Sequence, residues 1–170
     1  MMTIQIRKAK IGDLPEIMHI IEQAKAMFRD KGIDQWQNGY PNEDTIRNDI
    51  KNENGFVILK EQDLVGTLML QLGDDENYDT IEEGQWNEEG PYAVIHRIAI
   101  HPAYYGQKIA THALKQIENA CGKAGFSVVR IDTHKNNLAM NALLMKTGYQ
   151  LCGRITLKDG GERLAYDKKI

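Results

Sequence analysis

A chain of 170 residues, 42% apolar and 26% charged, is long enough for one domain with a sizeable core and has the composition of a soluble globular protein. A net charge of −3 argues against a general nucleic-acid binder. No apolar run approaches the roughly 20 residues that span a bilayer, and the opening MMTIQIRKAK lacks a signal-peptide apolar core, so the expected location is the cytoplasm.

In chain order, residues 3–8 alternate and predict a strand. Gly12-Asp13-Leu14-Pro15 predicts a helix start with Asp13 as N-cap. Leu14, Ile17, Met18, Ile21, Ala24 and Phe28 then form one helical stripe. Residues 32–41 break the pattern. Their Trp36 and Tyr40 either anchor a loop on the core or line a substrate pocket. Asn42 or Asp44 caps a second short helix through Ile46 and Ile50. Residues 56–60 and 64–72 predict an antiparallel hairpin, in which Gly66 marks a bulge or a close approach.

Residues 73–90 hold Asp74, Asp75, Glu76, Asp79, Glu82, Glu83, Glu88 and Glu89, with no Lys or Arg. The rest of the chain is therefore net basic. Tyr78, Ile81 and Trp86 lie among these acids. The segment reads either as a solvated loop pinned by its apolar residues or as an acidic rim that attracts a cation.

Residues 93–124 are the centre of the chain. AVIHRIAI is a strand with His96 and Arg97 inside it. A loop with Pro102 and Gly106 leads to a helix whose stripe is Ile109, Ala110, Ala113, Leu114, Ile117, Ala120, Cys121 and Ala124. A strand that passes through a glycine loop into a helix start can hold phosphates. Neither GxxxxGK[ST] nor GxGxxG is present. A strand at 127–133, a helix closed by Gly148 and strands at 149–157 and 163–168 complete the chain. Cys121 and Cys152 fall in a helix stripe and a strand. They read as buried thiols, and no metal site is expected.

Tyr105-Gly106-Gln107-Lys108-Ile109-Ala110 occupies the frame [QR]xxGx[GA] that opens a helix in the GNAT superfamily of acetyl-CoA-dependent N-acyltransferases. Tyr105 stands where that family has Gln or Arg, and Lys108 where it has Gly. Asn137, Leu143, Lys146, Gly148 and Tyr149 match the frame of a second family motif. The element order, β-α-α-β-β-β-α-β-α-β-β, is also the family's. The chain thus resembles the GNAT superfamily over nearly its whole length, and looks like a bacterial subgroup without an assigned substrate. The resemblance implies a single α/β domain over residues 1–170, with a mixed, mostly antiparallel sheet of about seven strands flanked by about four helices.

The resemblance also implies chemistry: transfer of acetyl from acetyl-CoA to a small-molecule or peptide amine, with a homodimer as one admissible assembly. By analogy, Ile98, Ala99 and Ile100 line the pantetheine arm. Gly106, Gln107, Lys108, Ile109 and Ala110 hold the pyrophosphate through their amides, with Tyr105 nearby and the Lys108 ammonium able to offer charge to a phosphate. Asn137, Leu143 and Lys146 meet the cofactor from the other helix. Trp36, Tyr40, Tyr78 and Trp86 are the candidate acceptor-binding residues, and the acidic segment points to a cationic acceptor.

His96 is the best candidate for the base. It lies two residues before Ile98, which places the two on one face by strand alternation. Its imidazole suits proton removal near neutrality; the other reading is a structural histidine held in the sheet. Arg97 is expected on the opposite face, paired with an acid. His101 and His134 end strands and are weaker candidates, and His19 and His112 fall on helices. Leu144 occupies the position of the tyrosine that protonates the leaving thiolate in many GNAT enzymes, which leaves Tyr40, Tyr78 and Tyr92 as candidate donors. A non-catalytic acyl-CoA-binding module and a nucleotide-binding domain of another family stay open as alternatives.

Overall fold

The computed structural model describes residues 2–170. The strands are β1 (Ile4–Lys8), β2 (Gly55–Lys60), β3 (Asp63–Leu72), β4 (Tyr92–Ile100), β5 (Val128–Thr133), β6 (Gln150–Thr156) and β7 (Glu162–Lys169). The helices are α1 (Leu14–Asp30), α2 (Glu43–Lys51), α3 (Ile109–Lys123) and α4 (Leu138–Lys146). Short 3₁₀ turns lie at Ile11–Asp13, Glu76–Tyr78 and Pro102–Tyr104. The chain is a mixed α/β protein whose seven strands run in the order β1-β2-β3-β4-β5-β7-β6. The pairs β1/β2, β2/β3, β5/β7 and β6/β7 are antiparallel, and β4/β5 is parallel.

Two compact units divide the chain. The first holds residues up to Leu70 and Arg97–Gln116, and the second Gln71–His96 and Ile117–Ile170.

In the first unit, Leu14, Ile17, Ile20, Ile21, Ala24 and Phe28 of α1 are buried. Leu14, Ile17 and Ile21 pack with Ile46 and Val57, and Ile20 and Ala24 pack with Ala99. Trp36 is half-buried against both groups and meets Phe28 edge-on. Asp13 is the N-cap of α1 by position only. A 3₁₀ turn precedes the helix, so Asp13 has near-helical backbone angles and its side chain folds back. The carboxylate accepts from Arg7 at 2.7 and 3.0 Å and from the Lys10 N–H at 2.8 Å. Asn42 caps α2, with its Oδ1 accepting the Thr45 N–H at 2.9 Å. At Gly66 both expected features occur. The β2/β3 register slips between Ile58 and Leu59. A Cβ on Gly66 would also lie 2.8 Å from Ile100 Cδ1 and 3.0 Å from the Ala99 carbonyl.

In the second unit, Tyr92 to Ile95 of β4 pair with Val128 to Ile131 of β5. The C-terminal half of α3 departs from its expected stripe. Ile117 and Cys121 are buried, but Ala120 and Ala124 face solvent and Glu118 is buried instead. Its carboxylate accepts from the Tyr149 hydroxyl at 2.9 Å and from Lys168 Nζ at 2.8 Å. That pairing makes a buried acid tolerable. Helix α4 closes as Gly148 suggested: the Gly148 N–H donates to the Met145 carbonyl and the Tyr149 N–H to the Leu144 carbonyl. Cys121 and Cys152 are both buried and free. Burial pushes the Cys152 thiol up to about 12, so it stays protonated at neutral pH.

The acidic segment is pinned. The Glu82 N–H and carbonyl exchange hydrogen bonds with Arg154 of β6, and the Gln85 N–H donates to the Cys152 carbonyl. It thereby covers the exposed edge of β6. Arg154 pairs with Glu82, Glu83 and Glu162, and Lys158 with Glu76. The N–H groups of Asn87 and Glu88 both donate to the buried Asp167 carboxylate at 2.8 Å. Arg130 lies 4.0 Å from the ring centres of both Trp86 and Tyr92.

Candidate active site

β4 passes from one unit to the other between His96 and Arg97. Arg97 has a φ of 51°, in the left-handed region. The strict alternation that would put His96 and Ile98 on one face therefore does not run through this point. In the first unit, Arg97 Nη2 donates to Asp49 Oδ2 and Nη1 to the Tyr40 hydroxyl at 2.6 Å. The side chains of Arg97 and Asp49 are only 11% and 8% exposed. Arg97 is thus the partner of an acid, as expected. Tyr40 is held at its hydroxyl and is a little under half exposed.

Beyond β4, the His101 N–H donates to the Val65 carbonyl, and His101 Nδ1 accepts from the Ala103 N–H. The chain then turns twice through left-handed backbone, at Gly106 (φ 78°) and Lys108 (φ 59°). Lys108 occupies the slot where the GNAT motif has glycine. The substitution changes the side chain but keeps the backbone conformation that glycine serves, at about 1 kcal/mol of strain. From there the chain enters α3, whose first-turn N–H groups have no partner within the helix and favour an anion. Gln107 Oε1 accepts from Lys60 Nζ at 2.6 Å, and Tyr105 is half exposed. Ile109 is buried and Ala110 partly so.

In the second unit, His96 Nε2 lies 2.6 Å from Asp75 Oδ2. The imidazole is 19% exposed and the carboxylate 5%. The other oxygen, Asp75 Oδ1, accepts from the Asn77 N–H at 2.9 Å and from Asn77 Nδ2 at 3.1 Å. The Asp75 N–H donates to the Tyr92 hydroxyl at 3.0 Å. Burial works to raise the Asp75 pKa, but the hydrogen bond and charge of His96 and the bonds from Asn77 outweigh it, and the net shift is downward. The Tyr78 ring sits 6.1 Å from the imidazole, and its hydroxyl donates to Asp132 Oδ2 at 2.6 Å. Tyr78 is fully buried, and burial with the Asp132 charge holds its hydroxyl well above the ordinary range. Trp86 packs on Tyr78 and donates from Nε1 to its carbonyl.

Of the candidates on the second helix, Asn137 caps α4 by accepting the Met140 N–H. Leu143 is half-buried and Lys146 exposed in the last turn. Leu144, in the tyrosine slot, is completely buried. The Tyr149 hydroxyl is committed to Glu118. Sequence reasoning missed Asp75 as the partner of His96. It lies 21 positions away among other acids, with no local signal that sets it apart.

Residues 18–149 match the family model described as the Acetyltransferase (GNAT) family. This chain belongs to the GNAT acetyltransferase family. A GNAT-family acetyltransferase from Streptococcus agalactiae is 36% identical, with a TM-score of 0.89 over 98% of this chain and 95% of the other. Two more distant structures share the fold. One is the PaiA N-acetyltransferase from Thermoplasma acidophilum in complex with coenzyme A (21% identity, TM-score 0.70, 99% and 100% covered). The other is the ribosomal-protein-S18-alanine N-acetyltransferase from Escherichia coli (18%, 0.66, 99% and 94%). The chain matches no curated protein sequence. This acetyltransferase is thus an enzyme of the N-acyltransferase class. Among the described residues no group of three or more His, Cys, Asp or Glu is arranged to hold a metal ion. No described helix is long and apolar enough to cross a membrane.

Proposed function

We propose that this acetyltransferase transfers acetyl from acetyl-CoA to the primary amine of a small cationic molecule or peptide, by direct attack in a ternary complex with His96 as base. The observation that carries this reading is His96 itself. It is a partly exposed imidazole on β4 with Nε2 held by a buried carboxylate, in a family whose reaction needs a neutral amine. Among the described residues no hydrogen bond reaches its Nδ1.

The residues present fit the donor. The two left-handed turns at Gly106 and Lys108, the start of α3 and the Lys108 ammonium supply backbone and side-chain donors suited to a pyrophosphate. The coenzyme A complex of the Thermoplasma relative supports the same donor. Ile98, Ala99 and Ile100 provide strand backbone for the pantetheine arm. A backbone N–H of β4 aimed at the thioester oxygen would contribute about 2.7 to 4 kcal/mol in the transition state. Acetyl-CoA supplies the thioester when bound, and its thiol, with a pKa of about 8.5, leaves tolerably as thiolate without a dedicated acid.

The cationic acceptor rests on the acidic segment. Asp75, Glu76, Glu82 and Glu83 are taken up by partners within the chain. Asp74, Asp79 and Glu89 stay exposed and keep a negative field on that surface. A second reading, a non-catalytic acyl-CoA-binding module, draws on the buried Leu144 in the tyrosine slot.

Calorimetry with coenzyme A and a thiol-release assay over polyamines, arylalkylamines, amino acids, aminoglycosides and short peptides test the proposal together. Binding with turnover on a cationic class is expected. Binding without turnover on any class favours the module, and absence of binding refutes acetyl-CoA as the donor.

A further inference from the structure

Asp75 is neither a rim acid nor a surface ion-pair partner. Its carboxylate is 5% exposed, and each oxygen has its own task. Oδ1 closes an Asx turn by taking both Asn77 donors, and Oδ2 meets His96 Nε2 at 2.6 Å. The 3₁₀ turn Glu76–Tyr78 follows directly, and its Tyr78 is buried with the hydroxyl tied to Asp132. The carboxylate is therefore held from its own segment and is not a mobile side chain that happens to lie near a histidine. An ionised carboxylate only accepts hydrogen bonds, so the proton between the two groups sits on Nε2.

We infer that Asp75 is a positioning residue for the acetyltransferase reaction: it fixes His96 as the Nε2–H tautomer and leaves Nδ1 as the basic nitrogen that takes a proton from an ammonium acceptor. The inference rests on the proposed role of His96 as base. The acceptor arrives as R–NH₃⁺, and Nδ1 takes one proton to give R–NH₂ and an imidazolium bridged to Asp75. The amine lone pair forms the C–N bond as the C–S bond breaks. The second amine proton and the thiolate then equilibrate with solvent, and the imidazolium releases its proton for the next cycle. The ionisable groups around the ring are Asp75 and Tyr78 from the acidic segment, Tyr92 of β4 at the Asp75 N–H, and Asp132 of β5 beyond the Tyr78 hydroxyl. Two of these groups are carboxylates.

The Asx turn gives the test a definite sign. In Asp75→Asn, the two Asn77 donors keep the amide oxygen at the Oδ1 place, so the amide NH₂ takes the Oδ2 place and donates to Nε2. The proton must then move to Nδ1, and the basic lone pair turns toward residue 75. Nitrogen-15 NMR of the imidazole reads this directly in the free protein. The inference expects Nε2–H in the wild type and Nδ1–H in Asp75→Asn. With an alkylammonium acceptor at pH 7, kcat should fall about 100-fold with KM little changed. With a weakly basic acceptor that is already neutral, such as an arylamine or hydrazine, the loss should stay within a few-fold.

An Nδ1–H tautomer in the wild type overturns the inference without any variant. An equal loss on both acceptor classes also overturns it, because that marks a structural role. If His96→Ala turns over unimpaired, the base reading itself fails. If His96→Ala loses turnover while Asp75→Asn keeps both tautomer and rate, the base stands and the positioning role is wrong.

Discussion

Removing Asp49 should cost this protein much more than removing Asp49 and Arg97 together. The pair joins α2 to the left-handed residue of β4, with both side chains about nine-tenths buried. Asp49→Ala leaves the Arg97 guanidinium in a largely dry place. Its Nη1 keeps only the neutral Tyr40 hydroxyl, and its Nε already has no partner. Breaking a buried pair from one side costs about 3 to 5 kcal/mol, whereas replacing both partners with apolar residues of similar volume is often near neutral. We expect Asp49→Ala to lose about 3 kcal/mol in urea unfolding, with the transition midpoint falling by about 6 to 12 °C in thermal scans. The double variant Asp49→Leu/Arg97→Met should lie within about 1 kcal/mol of wild type. The two experiments together measure the coupling. An Asp49→Ala protein as stable as wild type would refute the reasoning, because it would mean that water reaches Arg97 and that the pair does not hold this stretch of β4.

Asp13 and Asp75 are both held below the ordinary carboxylate range, Asp13 chiefly by its hydrogen bonds from Arg7. A depressed folded pKa contributes stability that is present above the unfolded value of about 3.9 and lost as pH falls through the folded one. Stability measured by urea titration should therefore drop below about pH 4, and Asp13→Asn should flatten that acid limb. Gly84→Ala would put a Cβ 1.9 Å from the Cys152 carbonyl oxygen, so the acidic segment must lift from β6. Faster amide exchange confined to residues 82–88 is the expected signature, and unchanged exchange would contradict the docking. At Lys108, a β-branched valine should lower stability by about 1 to 2 kcal/mol while glycine is tolerated. Equal stability of the two variants in urea unfolding would show that the left-handed conformation there is not required.

The sheet and helices were legible because each carries its own period. The α1 stripe, the hairpin around 61–63 and the Gly148 cap are local signals, and local signals fixed their structure. The segment 73–90 was harder to read, since its composition describes an exposed acidic loop equally well whether or not it docks. What pins it are groups far along the chain, namely Arg154, Asp167, Arg130 and Asp132. The same cause hid the Asp75–His96 pair. The alternation argument for His96 and Ile98 loses its premise for a different reason. A single left-handed residue, Arg97, interrupts the strand, and nothing in the run IHRIA announces it. Glu118 was passed over because an acid on a helix is ordinarily solvated, and only Tyr149 and Lys168 make its burial tolerable.

The most direct measurement is thiol release from acetyl-CoA by wild type and His96→Ala across pH, with the best cationic acceptor. The variant is expected to lose the acid limb of the kcat/KM profile and at least about 100-fold of the rate at pH 7, while coenzyme A binds unchanged by calorimetry. A variant with the wild-type profile and rate would contradict it and return His96 to a structural residue of β4.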